Sequence, residues 1–102
     1  FIANFKPNQR YILFEVFSQN KMNIYEDYIQ SGLRNFVGDL GLAKSGLKFI
    51  SKKSNKGILQ VNNKSLNEVR TGLALINEIN DVPVSIRTLK VSGVINKVKG
   101  EL

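Results

Sequence analysis

An α+β fold of order β-α-β-β-α-β is predicted from three features of the 102-residue sequence. Four segments alternate apolar and polar side chains with the period of two of a half-buried strand. Two segments repeat apolar residues every three or four positions, the period of a helix packed by one face. Turn-forming residues separate most of these segments. About 100 residues make one domain, and 42% apolar residues suffice for a core. One domain over 1–102 is expected, with 1–8 as an N-terminal extension and 94–102 as a C-terminal tail.

The first strand is expected over Gln9 to Ser18. Ile12, Phe14 and Val16 form a purely apolar face, while Tyr11, Leu13 and Glu15 form a mixed one. Asn20 to Asn23 turns the chain. A first helix is expected from Asn23, as N-cap, to about Leu40, with Glu26 completing a capping box. Its buried stripe would be Tyr25, Ile29, Leu33, Phe36 and Leu40, and Gly41 would stop it. Two strands, Ser45 to Lys52 and Gly57 to Asn62, would form a hairpin across the basic loop Lys53-Ser54-Asn55-Lys56. Leu47, Phe49, Leu59 and Val61 would face the core. Ser65-Leu66-Asn67-Glu68 reads as a capping box opening a second helix. Leu66, Val69, Leu73 and Ile76 would line its inner face, with Gly72 allowing close packing on the sheet. Asn80-Asp81-Val82-Pro83 would end that helix. Val84 to Val98 reads as mostly strand, with a shift of phase near Thr88 that implies a bulge or burial on both faces.

Right-handed crossovers would place both helices on one face of a four-stranded antiparallel sheet. This is a ferredoxin-like arrangement, shared by RNA-recognition motifs. The other face would show Tyr11, Leu13, Glu15, Lys48, Ile50, Lys52, Ile58, Gln60, Asn62, Arg87 and Leu89. That set is too apolar for open water, so the N-terminal segment with Phe1, Ile2 and Phe5, the C-terminal tail or a partner is expected to cover part of it. RNA-recognition motifs stack bases on aromatics of the first and third strands. Tyr11 would serve on the first, but Gly57 to Asn62 carries no aromatic, which favours phosphate and shape contacts over base stacking.

The chain has no Cys and no His. Thiol chemistry, disulfides, the usual general base and the commonest zinc ligand are therefore absent. Glu15, Asp39, Glu68 and Asp81 are isolated in sequence and form no acid–base pair. Phe17 to Met22 lacks the glycines of a phosphate-cradling hydrolase loop. No run of 18 apolar residues is present to form a membrane-spanning helix, and the start lacks the layout of a signal peptide, so a cytoplasmic protein without a membrane partner is expected. Fifteen Lys and Arg against eight Asp and Glu give a net charge of +7, which suits a polyanion.

Arg10 to Val16 resembles the opening strand of the small α/β protein subunit of archaeal and eukaryotic ribonuclease P. Gly38 to Ala43, Glu68 to Ile76 and Pro83 to Lys97 resemble further elements of that family, in order; Gly72 stands where the family tends to a residue such as Ala. The resemblance implies a protein that leaves catalysis, and the Mg²⁺ it needs, to the RNA subunit, with no cofactor of its own. It implies partnership with the ribonuclease P RNA and a TIM-barrel-like protein subunit, in removing the 5′ leader of precursor tRNA. Self-association within a heterotetramer stays open, as does a homo-oligomeric scaffold or another RNA-binding role.

The residues expected to bind RNA are led by Arg10, Arg87 and Arg70, whose guanidinium forks match phosphate. Lys52, Lys53 and Lys56 on the hairpin follow, with Lys90 and the tail residues Lys97 and Lys99; Lys6 is a further cation near the first strand. Tyr11, Leu13, Ile50, Ile58 and Leu89 are the expected partner interface. Helix 1 is a second candidate surface for a protein.

Overall fold

The computed structural model describes residues 8–19 and 26–102. In chain order it contains β1 (Gln9–Ser18), α1 (Glu26–Ser45), β2 (Lys48–Lys53), β3 (Lys56–Asn62), a 3₁₀ turn (Asn63–Ser65), α2 (Leu66–Leu75), β4 (Glu78–Ile79), β5 (Val82–Ser92) and α3 (Ile95–Lys99). The antiparallel strands lie in the order β2-β3-β1-β5-β4. The most apolar strand, β1, sits at the centre, and its residues Tyr11 to Phe14 are all buried. Their alternation feeds two cores. Ile12, Phe14 and Val16 join Ile29 and Leu33 of α1 and Val69 and Leu73 of α2. Tyr11 and Leu13 point the other way, to Ile58 and Val98.

The sheet has five strands, not the expected four. The addition is β4, which pairs with the start of β5 through Asn80 and Asp81. Both turn residues adopt positive φ, 53° and 65°, as a tight hairpin turn of right-handed twist requires, and Asn and Asp tolerate that conformation. Asn80-Asp81 therefore makes a hairpin; α2 has already ended at Leu75. The expected phase shift in the closing strand is a bulge at Leu89: Lys90 lies opposite Leu13, and Thr88 opposite Phe14.

The first helix extends past Gly41 to Ser45, and Gly46 ends it at φ +63°. Ser45, expected in a strand, is instead a buried helix-end residue whose hydroxyl donates to the Leu42 carbonyl at 2.6 Å. At Gly38 the helix is broken by a φ of 80° and a ψ of 169°, a conformation open in practice to glycine. The break resets the helical phase. Leu40, placed in the stripe by an unbroken period, is 68% exposed, and Leu42 packs on the core instead. Phe36 is also largely exposed. Asn23 and Tyr25, and the turn through Asn20, lie outside the described residues, as do Lys6 and the segment before it.

Ser65 makes no side-chain cap to α2; the 3₁₀ turn before the helix replaces the expected capping box. Gly72 allows close approach to α1 rather than to the sheet. A Cβ there would lie 2.8 Å from Leu33, and one at Gly32 would lie 2.7 Å from Ile76. A glycine on each helix thus faces a large side chain of the other segment.

The expected C-terminal tail is in part a helix. After Ser92 the chain turns through Gly93 and forms α3, which lies on the sheet face opposite α1 and α2. Val98 is fully buried against Tyr11, Leu13 and Ile58, and Ile50, Ile95 and Leu102 pack around them. Lys90 also pairs with Glu101 at 2.6 Å. That pair is about half exposed and contributes at most about 1 kcal/mol; the apolar contacts hold the helix down. Val98→Asp buries an unpaired carboxylate and is expected to undock α3, so that trypsin cuts after Lys97 and Lys99 much faster. Lys90→Ala is expected to leave the cleavage rate nearly unchanged.

Candidate nucleic-acid interface

Covering by α3 decides which side chains of the outer sheet face meet solvent. Tyr11, Leu13 and Ile58, expected to meet a partner, are buried by the chain's own terminus, and Ile50 is half-buried beside them. Their apolar area is satisfied internally. Leu89 alone of that group is exposed, because the bulge turns it out of the sheet.

Beyond α3 the open end of the sheet carries a row of charge. Lys53 lies opposite Lys56, Lys56 opposite Glu15, and Glu15 opposite Arg87. Four adjacent strands thus present these residues side by side, about 14 Å from end to end at the usual strand spacing. The Glu15 carboxylate accepts from the Asn55 amide at 3.1 Å, and the same amide donates to the Val16 carbonyl at 3.0 Å. The Val16 amide donates in turn to the Asn55 carbonyl at 2.8 Å. The basic hairpin tip is thereby tied to the central strand. A bulge between Phe49 and Ser51 places Lys52 opposite Gly57, out of the register of this row.

Arg87 stands at a corner. On the outer face its guanidinium lies over the Phe17 ring, 5.2 Å from the centroid. On the helix side it lines an open groove of about 670 Å³ with Arg70, Asn67, Thr71 and Thr88, floored by Ala74 and Ile86. The structure therefore brings together Arg70 and Arg87, two of the three leading arginines, along the edge of β5. It separates Arg10 from them. The Arg10 guanidinium donates to the Gln9 carbonyl at 2.7 Å and lies against Gly93, so this half-buried side chain braces its own chain. Lys90 faces Glu101. Lys97 and Lys99 are exposed on α3.

Phe17 is the side chain that the sequence reading passed over. It shares the parity of Tyr11, Leu13 and Glu15 and is 40% exposed. Strand alternation alone marks it as an outward aromatic. Among the described residues no three acidic side chains gather to hold a metal ion. A cleft of about 340 Å³ between α1 and α2 is lined by Phe36, Leu75 and Ile76 with polar Asn35, Asn77 and Glu78. It holds no catalytic set, but Phe36, Leu40 and Leu75 make the helical side apolar.

The Rpp14/Pop5 family model matches residues 10–102. Ribonuclease P protein component 2 of Thermococcus kodakarensis is 34% identical over 98 residues, covering 92% of this chain and 82% of that protein. The component 2 of Pyrococcus furiosus is 32% identical, with the same coverage. Component 2 of Methanococcus aeolicus is 32% identical over 94 residues, covering 90% of this chain and 70% of its own length. In shape, the chain is similar to one in the cryo-EM structure of yeast ribonuclease MRP, with a TM-score of 0.70 and 12% identity over 92% of this chain and 90% of that one.

Proposed function

The chain belongs to the Rpp14/Pop5 family, and from that premise we propose that it is a non-catalytic protein subunit of ribonuclease P. In this role it binds the RNA subunit, which performs the cleavage with its own Mg²⁺, and supports it in removing the 5′ leader of precursor tRNA. The observation that carries the reading is the family match over residues 10–102, joined by component 2 relatives above 30% identity. The site chemistry agrees with it. Arginine forks along one groove and lysine ammonium groups along one sheet end suit phosphate oxygens. We read the sheet as a ferredoxin-like frame to which β4 is added at one edge.

The protein partner is a TIM-barrel-like subunit, placed here on the helical side. Phe36, Leu40 and Leu75 leave more large apolar surface there than α3 leaves on the opposite face. The scaffold reading loses its main support, since the apolar sheet face it relied on is covered by α3.

Reconstitution tests the proposal. The RNA subunit, the TIM-barrel subunit and this protein are combined at limiting Mg²⁺, and cleavage of precursor tRNA is timed. Adding this protein is expected to raise the rate; the same rate with and without it sinks the reading.

A further inference from the structure

We infer that Phe17 and Arg87 form a stacking site for one unpaired RNA nucleotide, whose flanking phosphates lie on Lys56 and Lys53. The inference rests on the RNA-binding reading above and adds to it the kind of RNA element bound. In the middle of the outer face, where a base would meet Tyr11, the chain's own α3 occupies the surface. Phe17 lies two residues beyond Glu15 on the same face of β1, past the residues that α3 buries. Its ring stays open to solvent at 40% exposure. Water gains nothing from a phenyl ring, while a base does, because every base has a π face.

The electrostatics select the partner class. Arg87 lies over one face of the Phe17 ring, so the aromatic surface carries a cation and a base would stack on the ring's other face or on the guanidinium plane. Directly across the sheet from Arg87, beyond Glu15, come Lys56 and Lys53. An aromatic ring with three cations in one row fits a base joined to phosphates. A purely apolar peptide would leave the cations unpaired. Paired bases have both faces stacked in the helix, so only a looped, bulged or overhanging nucleotide can offer its face to Phe17.

The test uses the full chain and two RNAs: a blunt hairpin duplex, and the same duplex with a short single-stranded tail carrying 2-aminopurine. Binding is followed by anisotropy, and stacking by quenching of the 2-aminopurine. The wild type is expected to prefer the tailed RNA and to quench its fluorophore. Phe17→Leu is expected to weaken tailed-RNA binding by roughly tenfold while leaving duplex binding unchanged. Phe17→Tyr, which keeps a ring, is expected to retain both the preference and the quenching, with circular dichroism checking that each variant is folded. Equal affinity of the wild type for both RNAs, or equal loss on both RNAs in Phe17→Leu, overturns the stacking site and leaves the RNA-binding reading intact. Failure of the wild type to bind either RNA overturns both.

Discussion

Replacing Phe14 by Ala is expected to cost about 3–5 kcal/mol of stability, read as a large drop in the urea midpoint. A domain of this size holds only about 5–15 kcal/mol in total, so this one change removes a large share. Phe14 is fully buried at the centre of the central strand. Its ring lies against Gly57 of the neighbouring strand: a Cβ on Gly57 would stand 2.7 Å from the ring's Cζ. The ring therefore fills the space that a side chain at 57 would otherwise occupy. Gly57→Ala is expected to destabilise by about 1–3 kcal/mol through overpacking, because a buried ring in a dense core cannot swing aside. Combining Gly57→Ala with Phe14→Leu is expected to cost less than the sum of the two, since the smaller side chain makes room for the methyl group. Contacting residues commonly couple by about 0.5–3 kcal/mol. Strict additivity in the urea midpoints would show that the ring and the glycine do not share this space.

The sequence was most legible where periodicity is strong and local. Gln9 to Ser18 emerged with its observed bounds because Ile12, Phe14 and Val16 give one face of that strand an unbroken apolar set while Tyr11, Leu13 and Glu15 give the other a mixed one. The second helix's Leu66, Val69, Leu73 and Ile76 were legible for the same reason at helical spacing. Reading failed where one backbone angle outweighs a pattern. Gly38 breaks the first helix and moves Leu40 from core to solvent, although the i, i+4 spacing from Phe36 continues unbroken in the sequence. Asn80 and Asp81 have the composition of a helix stop, but their tolerance of positive φ builds a hairpin.

The site was legible as a set of cations but not as a geometry. Side-chain type marked Arg70, Arg87, Lys53 and Lys56. Which of them meet depends on strand register, and register joins residues tens of positions apart, as Glu15 joins Arg87. Long-range packing also buried Tyr11 under α3, while Arg10 and Lys90 turn to groups nearby in the sequence, the Gln9 carbonyl and the Glu101 carboxylate. A five-residue helix placed after a strand that reads as continuous leaves little local signal, since Val94, Ile95 and Val98 suit either form.

Neutralising the open-end row is expected to give the largest functional change. With Lys53→Gln, Lys56→Gln and Arg87→Gln combined, affinity for RNA should fall about a hundredfold near 0.1 M salt, at roughly 1 kcal/mol per contact. The slope of log K against log salt should shrink by about 2–3, because each lost phosphate contact returns roughly 0.7–0.9 of a counterion. Glu15→Gln should act with the opposite sign and tighten binding slightly, since its carboxylate sits in the middle of the row. Net charge alone predicts a fall in affinity for any three cations, so a matched control is needed. Lys44, Lys48 and Lys64 lie towards the other end of the sheet, where Lys48 faces Gln60 and the Asn62 amide donates to the Lys44 carbonyl. Changing these three to Gln removes the same three charges from the net +7. If position matters, the control loses only a few-fold by weaker long-range attraction, which salt screens within about 8–10 Å. Equal losses in the two triple variants would mean that RNA responds to the protein's overall charge and that the row is not where it binds.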